Sequence, residues 1–421
     1  MNPSSIYPVI LAIALALGTV TLVHKIAGGQ LHSGKYSSID GLRGYLAFFV
    51  FLHHSLIWFF FLRTDDWVTP PSNMYTNFGE TSVSLFFMIT GFLFFSKLVN
   101  GKKYPIDWLK LFISRILRLT PLYFFAMLIL FSLIGILSGF ILKEPRLQVL
   151  TEMVDWLTFT VRKAPLINGF KQTNLIMANV TWTLVMEWLF YLSLPFIGLI
   201  IFKLRTSVLT LVLTCIIITW IALNGRSGIF PAVSFSGGMA AAFLVRSKKI
   251  CVLASKKLSS VILMVTLGLT VFLFHTSYTI IAQMLIAISF VIIACGNTFF
   301  GLLTSQASKL LGQISYSIYL LHAIVLFIVF KFIIGFDQAK EMSPFQHWLI
   351  ILASVVPLII ICTITYYFIE LPAMNASSNI TGRFRKWYNK SINGFARLYS
   401  GAREISSTTL IIKETEEASK E

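Results

Sequence analysis

The chain has 421 residues, of which 56% are hydrophobic and only 12% charged, with a formal net charge of +17 and a mean hydropathy of +0.80. A soluble domain carries about twice that share of charge, so composition excludes an ordinary soluble enzyme and points to an all-α, polytopic membrane helical bundle. No ~10-residue alternating strands separated by turns occur, which excludes a transmembrane barrel, and in so apolar a chain the basicity reads as membrane-surface charge rather than nucleic-acid binding.

The first apolar run is Ile6 to Val23. No Lys or Arg precedes Lys25, whereas a signal peptide carries its positive charge before the apolar core; the run reads as an uncleaved helix with its N-terminus outside. Ten further spans are expected at 43–62, 80–99, 119–142, 181–202, 206–223, 229–246, 258–275, 278–298, 311–334 and 346–369, about eleven in all, with the C-terminus in the cytoplasm. Of the 34 Lys and Arg residues, 17 then fall in inside loops and 9 in outside ones. Five of those nine lie in the 143–180 connection, where length weakens the charge rule. Residues 97–118 interleave Lys97, Lys102, Lys103, Lys110, Arg115 and Arg118 with apolar positions, the pattern of an amphipathic surface segment. Val154 to Phe159 suits a short re-entrant or interfacial helix outside. The tail, from Arg383 to Tyr388 and into a Glu-rich end, reads as a surface segment fraying into disorder. Cys215, Cys251, Cys295 and Cys362 are scattered and show neither a disulfide framework nor metal-ligand spacing.

Few ionisable residues fall within the spans. Asp40 is a plausible N-cap, placing Arg43 in the first helical turn. His54 follows Arg43 by eleven residues, roughly 16 Å along a helix axis, which puts Arg43 near one surface and His54 near the middle of the ~30 Å hydrocarbon layer. Titratable groups at such depth usually face a bundle interior or a wet cavity. His53 is turned roughly 100° away, so one histidine of the two is expected to face a given cavity; the bland reading makes both of them core histidines. Glu187 lies in a second apolar span and suits either a partner orienting a histidine or a structural hydrogen-bonding role. Arg115 and Arg118, three apart on one helical face, suit a phosphate or pyrophosphate, or simply anchor the inside surface. Ser315, Tyr319 and His322 recur at helical spacing and read most simply as helix–helix glue, and Gly91 as a point of close helix approach. Glu80 is placed at a helix start and Glu370 near a helix end.

In this order the motifs resemble acyltransferase family 3, integral membrane proteins best known as bacterial O-acetyltransferases of surface polysaccharides. Arg43 and His54 look like the family's Arg-x10-His, Arg115 and Arg118 its Arg-x-x-Arg, and Thr90-Gly91-Phe92 its Ser-Gly-Phe with Thr for Ser. The stretch from Trp182 through Glu187 to Tyr191 is similar to its Trp-[Ser/Thr]-Leu-x-x-Glu-x-x-Phe-Tyr. Gly312-x-Ile-Ser-Tyr-x-x-Tyr-x-x-His, carrying Tyr316 and His322, and Ile369-Glu370-x-Pro372 complete the set. The resemblance implies a ten-helix acyltransferase domain over 37–372, an extra N-terminal helix and cytoplasmic loop at 1–36, and a basic cytoplasmic tail at 373–421.

It further implies acyl transfer, most often of acetyl, from cytoplasmic acetyl-CoA to a hydroxyl of a cell-surface glycan such as lipopolysaccharide O-antigen, possibly lipid-linked, in the bacterial inner membrane. Acyl-CoA is then a donor substrate rather than a resident cofactor, and no metal is expected. His54 becomes the expected base or acyl carrier with Glu187 in support; Arg43, Arg115 and Arg118 become the expected acyl-CoA ligands; Thr90, Gly91, Phe92, Trp182, Tyr316, His322 and Glu370 are supporting residues. The alternative is a polysaccharide or small-molecule transporter using His54, Glu187 and His322 as a proton relay.

Overall fold

A computed structural model describes residues 2–27, 34–101, 105–203 and 229–391, and these contain helices and connections but no strand. The long elements are α1 (Tyr7–Ala27), α2 (Ser37–Thr64), α3 (Asn73–Asn100) and α4 (Trp108–Leu137). The connection after α4 holds α5 (Arg146–Leu157) and a single turn, α6 (Thr173–Ile176). Then come α7 (Trp182–Phe202), α8 (Ile229–Leu244), α9 (Lys248–Ala254), α10 (Lys257–Leu273), α11 (Ile280–Ala294), α12 (Gln306–Gln313), α13 (Ser315–Ile328) and α14 (Pro344–Thr365). Seven described helices are long and apolar enough to cross a membrane, and α9 with α10, bent by 75°, make an eighth candidate. The chain is an all-α polytopic bundle. The expected 206–223 span and Cys215 lie outside the described residues.

α2 is the axis of the bundle. Twenty of its 28 residues are buried, among them both histidines, because α3, α12 and α13 all pack on it. Its start differs from expectation: Tyr36 holds the N-cap position, and Asp40 sits inside the first turn, accepting from the Gly34 backbone N–H at 2.9 Å. Asp40 ties down the preceding loop instead of capping the helix, and Arg43 falls in the second turn.

Glycines set how closely helices meet around α2. A Cβ on Gly44 would stand 2.6 Å from the Gly312 nitrogen, and Cβ atoms on Gly312 and Gly41 would fall on the carbonyl oxygens of Asp40 and Leu303. The entry turns of α2 and the end of α12 are therefore in backbone contact. Gly91 does the same for α3, where a Cβ would lie 2.5 Å from the Phe235 carbonyl oxygen of α8, as the sequence suggested.

Three boundaries move in the same direction, outward from the apolar runs. α3 begins at Asn73, so Glu80 is two turns inside it rather than at its start. α4 begins at Trp108, with the Asp107 carboxylate accepting from the Lys110 backbone N–H at 3.0 Å. Arg115 and Arg118 thus ride on a continuous spanning helix, and the expected separate surface segment at 97–118 is instead the end of α3, residues 102–104 outside the description, and the start of α4. α14 opens with a Ser343/Gln346 capping box, passes through a π-helical segment Tyr366–Glu370, and continues as helix to Ser391. The first part of the expected tail is therefore an extension of a spanning helix, held near α4 by an Arg385–Asp107 ion pair; residues 392–421 lie outside the description.

Candidate active site

The expected 311–334 span is broken at Ile314, so that α12 ends against α2 and α13 starts afresh. This break aims α13 along α2 and brings together two residues 268 apart in sequence. His322 Nε2 lies 3.0 Å from His54 Nδ1, with ring centroids 5.0 Å apart. His322 Nδ1 lies 3.0 Å from the Ile318 carbonyl oxygen, which can only accept, so Nδ1 carries the His322 proton and Nε2 offers a lone pair. His54 Nδ1 then donates, toward that lone pair and toward the Val50 carbonyl oxygen at 3.0 Å. This assignment leaves Nε2 of His54 as its bare nitrogen, without a hydrogen bond among the described residues. His53 takes the other role: its Nδ1 bonds the Tyr75 carbonyl oxygen at 2.8 Å and its ring rests on Gly79.

At the N-terminal end of α2 a cavity of about 550 Å³ opens between α2, α3, α4, α7 and α13. Arg43, Arg115 and Arg118 all line it, joined by Lys35 and Lys97, against two carboxylates, Asp40 and Glu187. Arg43 is within electrostatic reach of Arg118, Arg115, Asp40 and Glu187. The three arginines come from two helices, and α4 is tied to α13 by the Tyr316 hydroxyl, which donates to the Leu119 carbonyl oxygen at 2.8 Å. Arg115 and Lys97 both stand over the Phe94 ring, 5.1 and 5.0 Å from its centroid. Three lining polar atoms are buried with no partner among the described residues: Ser96 Oγ, Arg115 Nε and Ser315 Oγ. Buried polar atoms are normally satisfied, and orphans converging on one cavity are what a bound polar group would complete. Where the cavity approaches the histidines, the Tyr319 and Thr183 hydroxyls pair at 2.7 Å, and Tyr319 lies one helical turn before His322.

A second cavity, of about 860 Å³, lies at the opposite end of α2, lined by Trp67, Trp182, Tyr278 and the 160–181 connection. Trp67 joins it to the histidines, stacking on His54 with ring centroids 6.1 Å apart and 13° between planes. His54 therefore sits between two cavities that open toward opposite ends of one helix.

Residues 36–367 match a family model described as an acyltransferase domain. The chain belongs to this acyltransferase family. Comparison with curated proteins and with solved structures gives no match. The matched region runs from the start of α2 into the π segment after α14, and so contains His54, His322, the whole lining of the second cavity and all of the first except Gly34 and Lys35, but not α1. With the apolar helices it makes the protein a multi-pass membrane acyltransferase.

Not every expected site residue joins the histidines. Glu187 makes no hydrogen bond to His54; its Oε1 accepts from Thr90 Oγ1 at 3.4 Å and from the Tyr191 hydroxyl, which makes it part of the arginine cavity. Thr90 belongs there too. Phe92 is fully buried, edge-on to Tyr36 at 4.9 Å, and packs rather than faces either cavity. Glu370 is buried and accepts from Ser317 Oγ, linking the π segment to α13. Trp182 lines the far cavity and is 37% exposed. The sequence reading missed Trp67, which lies in a connection with no motif around it; its only signal was a lone tryptophan shortly after the histidine helix. Among the described residues no group of three or more His, Cys, Asp or Glu could hold a metal ion.

Proposed function

We propose that this acyltransferase takes an acyl group, acetyl in the first instance, from cytoplasmic acetyl-CoA held in the arginine cavity. It delivers the group to a hydroxyl of a cell-surface polysaccharide, with lipopolysaccharide O-antigen the leading acceptor, from a bacterial inner membrane with its N-terminus outside and its C-terminus in the cytoplasm. The observation that carries this reading is the arginine cavity with its orphaned polar atoms, whose lining reaches Tyr319, one helical turn from the His322 of a histidine pair with one bare nitrogen. Guanidinium groups bind phosphates bidentately, and a CoA donor brings several phosphates and a thioester on a flexible arm. The glycan acceptor rests on the motif resemblance.

In this mechanism His322 accepts the His54 Nδ1 proton's hydrogen bond and fixes the ring, so that Nε2 meets the substrates. As a general base, Nε2 takes the acceptor hydroxyl proton while the oxygen attacks the thioester carbonyl; the C–S bond breaks and the departing thiolate recovers the proton. As an acyl carrier, Nε2 attacks the carbonyl first and expels the thiolate; the acceptor oxygen then attacks the acyl carbon, its proton passes to the thiolate, and the Nε2–acyl bond breaks to restore the neutral ring. Glu187 acts in the donor cavity, held by Thr90 and Tyr191 as the counter-charge among the arginines. The proton-relay alternative loses its continuity here, because Glu187 bonds Thr90 and Tyr191 rather than either histidine.

Two measurements test the reading. Labelled acetyl-CoA offered to membranes containing the full chain should label surface glycan, each modified sugar gaining the mass of one acetyl group. Glycan that keeps its mass but falls in surface amount would favour transport instead. Arg115→Ala should raise the KM for acetyl-CoA by about 10- to 100-fold, the worth of one charged hydrogen-bonding group, with a smaller change in kcat; an unchanged KM would remove Arg115 from the donor site.

A further inference from the structure

The cavity beyond Trp67 has a lining that donor binding leaves unexplained. Its floor is aromatic, with Trp67 toward His54 and Trp182 and Tyr278 along the wall. Two side-chain carbonyl oxygens on the lining, Gln172 Oε1 and Asn174 Oδ1, are buried with no hydrogen-bond partner among the described residues. An oxygen of this kind can only accept, so what completes it is a donor such as a hydroxyl. The rim carries Arg162, Lys163 and Lys171 against a single lining carboxylate, Asp65. Arg162 is shared with buried Asp155 at 3.6 Å, while Lys163 and Lys171 have no ion pair among the described residues. The backbone of this lining carries one unusual conformation: Thr160 holds a positive φ of 55°, which a β-branched residue keeps only where the surrounding structure enforces it.

Flat aromatic faces, orphaned acceptors and a cationic rim together describe a carbohydrate that also bears negative charge. Resting on the acyl-transfer reading, which makes this the acceptor side, we infer that the cavity beyond Trp67 is a subsite for an acidic sugar, a uronate or a phosphorylated residue of the acceptor glycan. The sugar ring lies against Trp182, its hydroxyls donate to Gln172 and Asn174, and its carboxylate or phosphate meets Lys163 and Lys171.

The test uses the full-length protein in lipid nanodiscs and three probes of matched length: a neutral hexose oligosaccharide, a hexuronate oligosaccharide and a phosphorylated hexose oligosaccharide. Binding is read by tryptophan fluorescence, with acetyl-CoA binding measured in parallel. At low salt at least one acidic probe should bind about tenfold or more tightly than the neutral one, and the preference should fade as salt rises. Lys163→Gln with Lys171→Gln should remove the preference and leave acetyl-CoA affinity unchanged, while Gln172→Leu should weaken all three sugars. Equal binding of neutral and acidic probes, or a preference that survives the double lysine substitution, overturns the inference. Loss of sugar binding beside intact acetyl-CoA binding also overturns it while sparing the acyltransferase reading. Failure to bind acetyl-CoA by the unaltered protein would instead strike the donor assignment. Which acidic probe wins distinguishes uronate from phosphate.

Discussion

His54→Ala should abolish acyl transfer in membranes that still contain folded protein. Loss of a positioned base alone lowers a rate by about 10² to 10⁴, and loss of an acyl carrier lowers it further. The neighbouring histidine supplies the control. His53 bonds the Tyr75 carbonyl oxygen and packs on Gly79, so its replacement is a matter of stability, and whatever protein survives should retain its turnover. In the proposed mechanism His322 positions His54, and its substitutions separate orientation from chemistry. His322→Gln retains a carbonyl able to accept from His54 Nδ1 and should keep a substantial part of kcat; His322→Leu cannot accept and should lose about 10- to 100-fold in kcat with little change in KM. Rates from membranes carrying equal amounts of each variant decide the matter. Full transfer by His54→Ala would remove this residue from the chemistry, and equal losses for the Gln and Leu variants would reduce His322 to packing.

Gly312→Val should strongly destabilise the bundle. A Cβ at this position falls on the Asp40 carbonyl oxygen, and backbone cannot swing aside as a flexible side chain does. To admit it, α12 must part from α2, and the break at Ile314 that directs α13 toward His54 moves with it. Overpacking of a close-packed core costs about 3 kcal/mol, a large share of the 5–15 kcal/mol that stabilises a typical fold. Melting temperature and gel-filtration profile in detergent should both deteriorate. Gly268→Ala in α10 is the counterpart: nothing lies within 4 Å of a Cβ there, and a helical glycine replaced by alanine gains about 0.5–1 kcal/mol. If both substitutions behave alike, the backbone contact is not what holds α2 and α12 together.

Much of this site was readable along the chain because one helix carries its landmarks. The eleven residues from Arg43 to His54 fix their separation along α2, and the three-residue step from Arg115 to Arg118 fixes a shared face; both spacings survive because they are properties of a helix, not of the fold. What spacing cannot express is which helix faces which. The His54–His322 pair depends on the break at Ile314 and on the glycine contact between α2 and α12. Glu187 stands one turn before Tyr191 on α7, and that local neighbour takes it away from the histidines. Helix starts were misplaced for a related reason. Lys110, Arg115 and Arg118 dilute the hydropathy of α4, but a helix capped by Asp107 continues through polar residues as readily as through apolar ones. Two π-helical segments, Val329–Ile334 and Tyr366–Glu370, left no mark in the hydrophobic pattern at all.

The arrangement around Trp67 and Tyr319 also bears on the compartment boundary. Two cavities invade the bundle from opposite ends of α2, and between them stand the stacked Trp67–His54 rings and the Thr183–Tyr319 hydroxyl pair. A channel joining the two openings would short-circuit the ion gradients on which an energised membrane depends. On the proposed mechanism these few side chains serve as electrical insulation as well as surroundings for the chemistry, and only an acyl group passes them while the two aqueous phases stay apart.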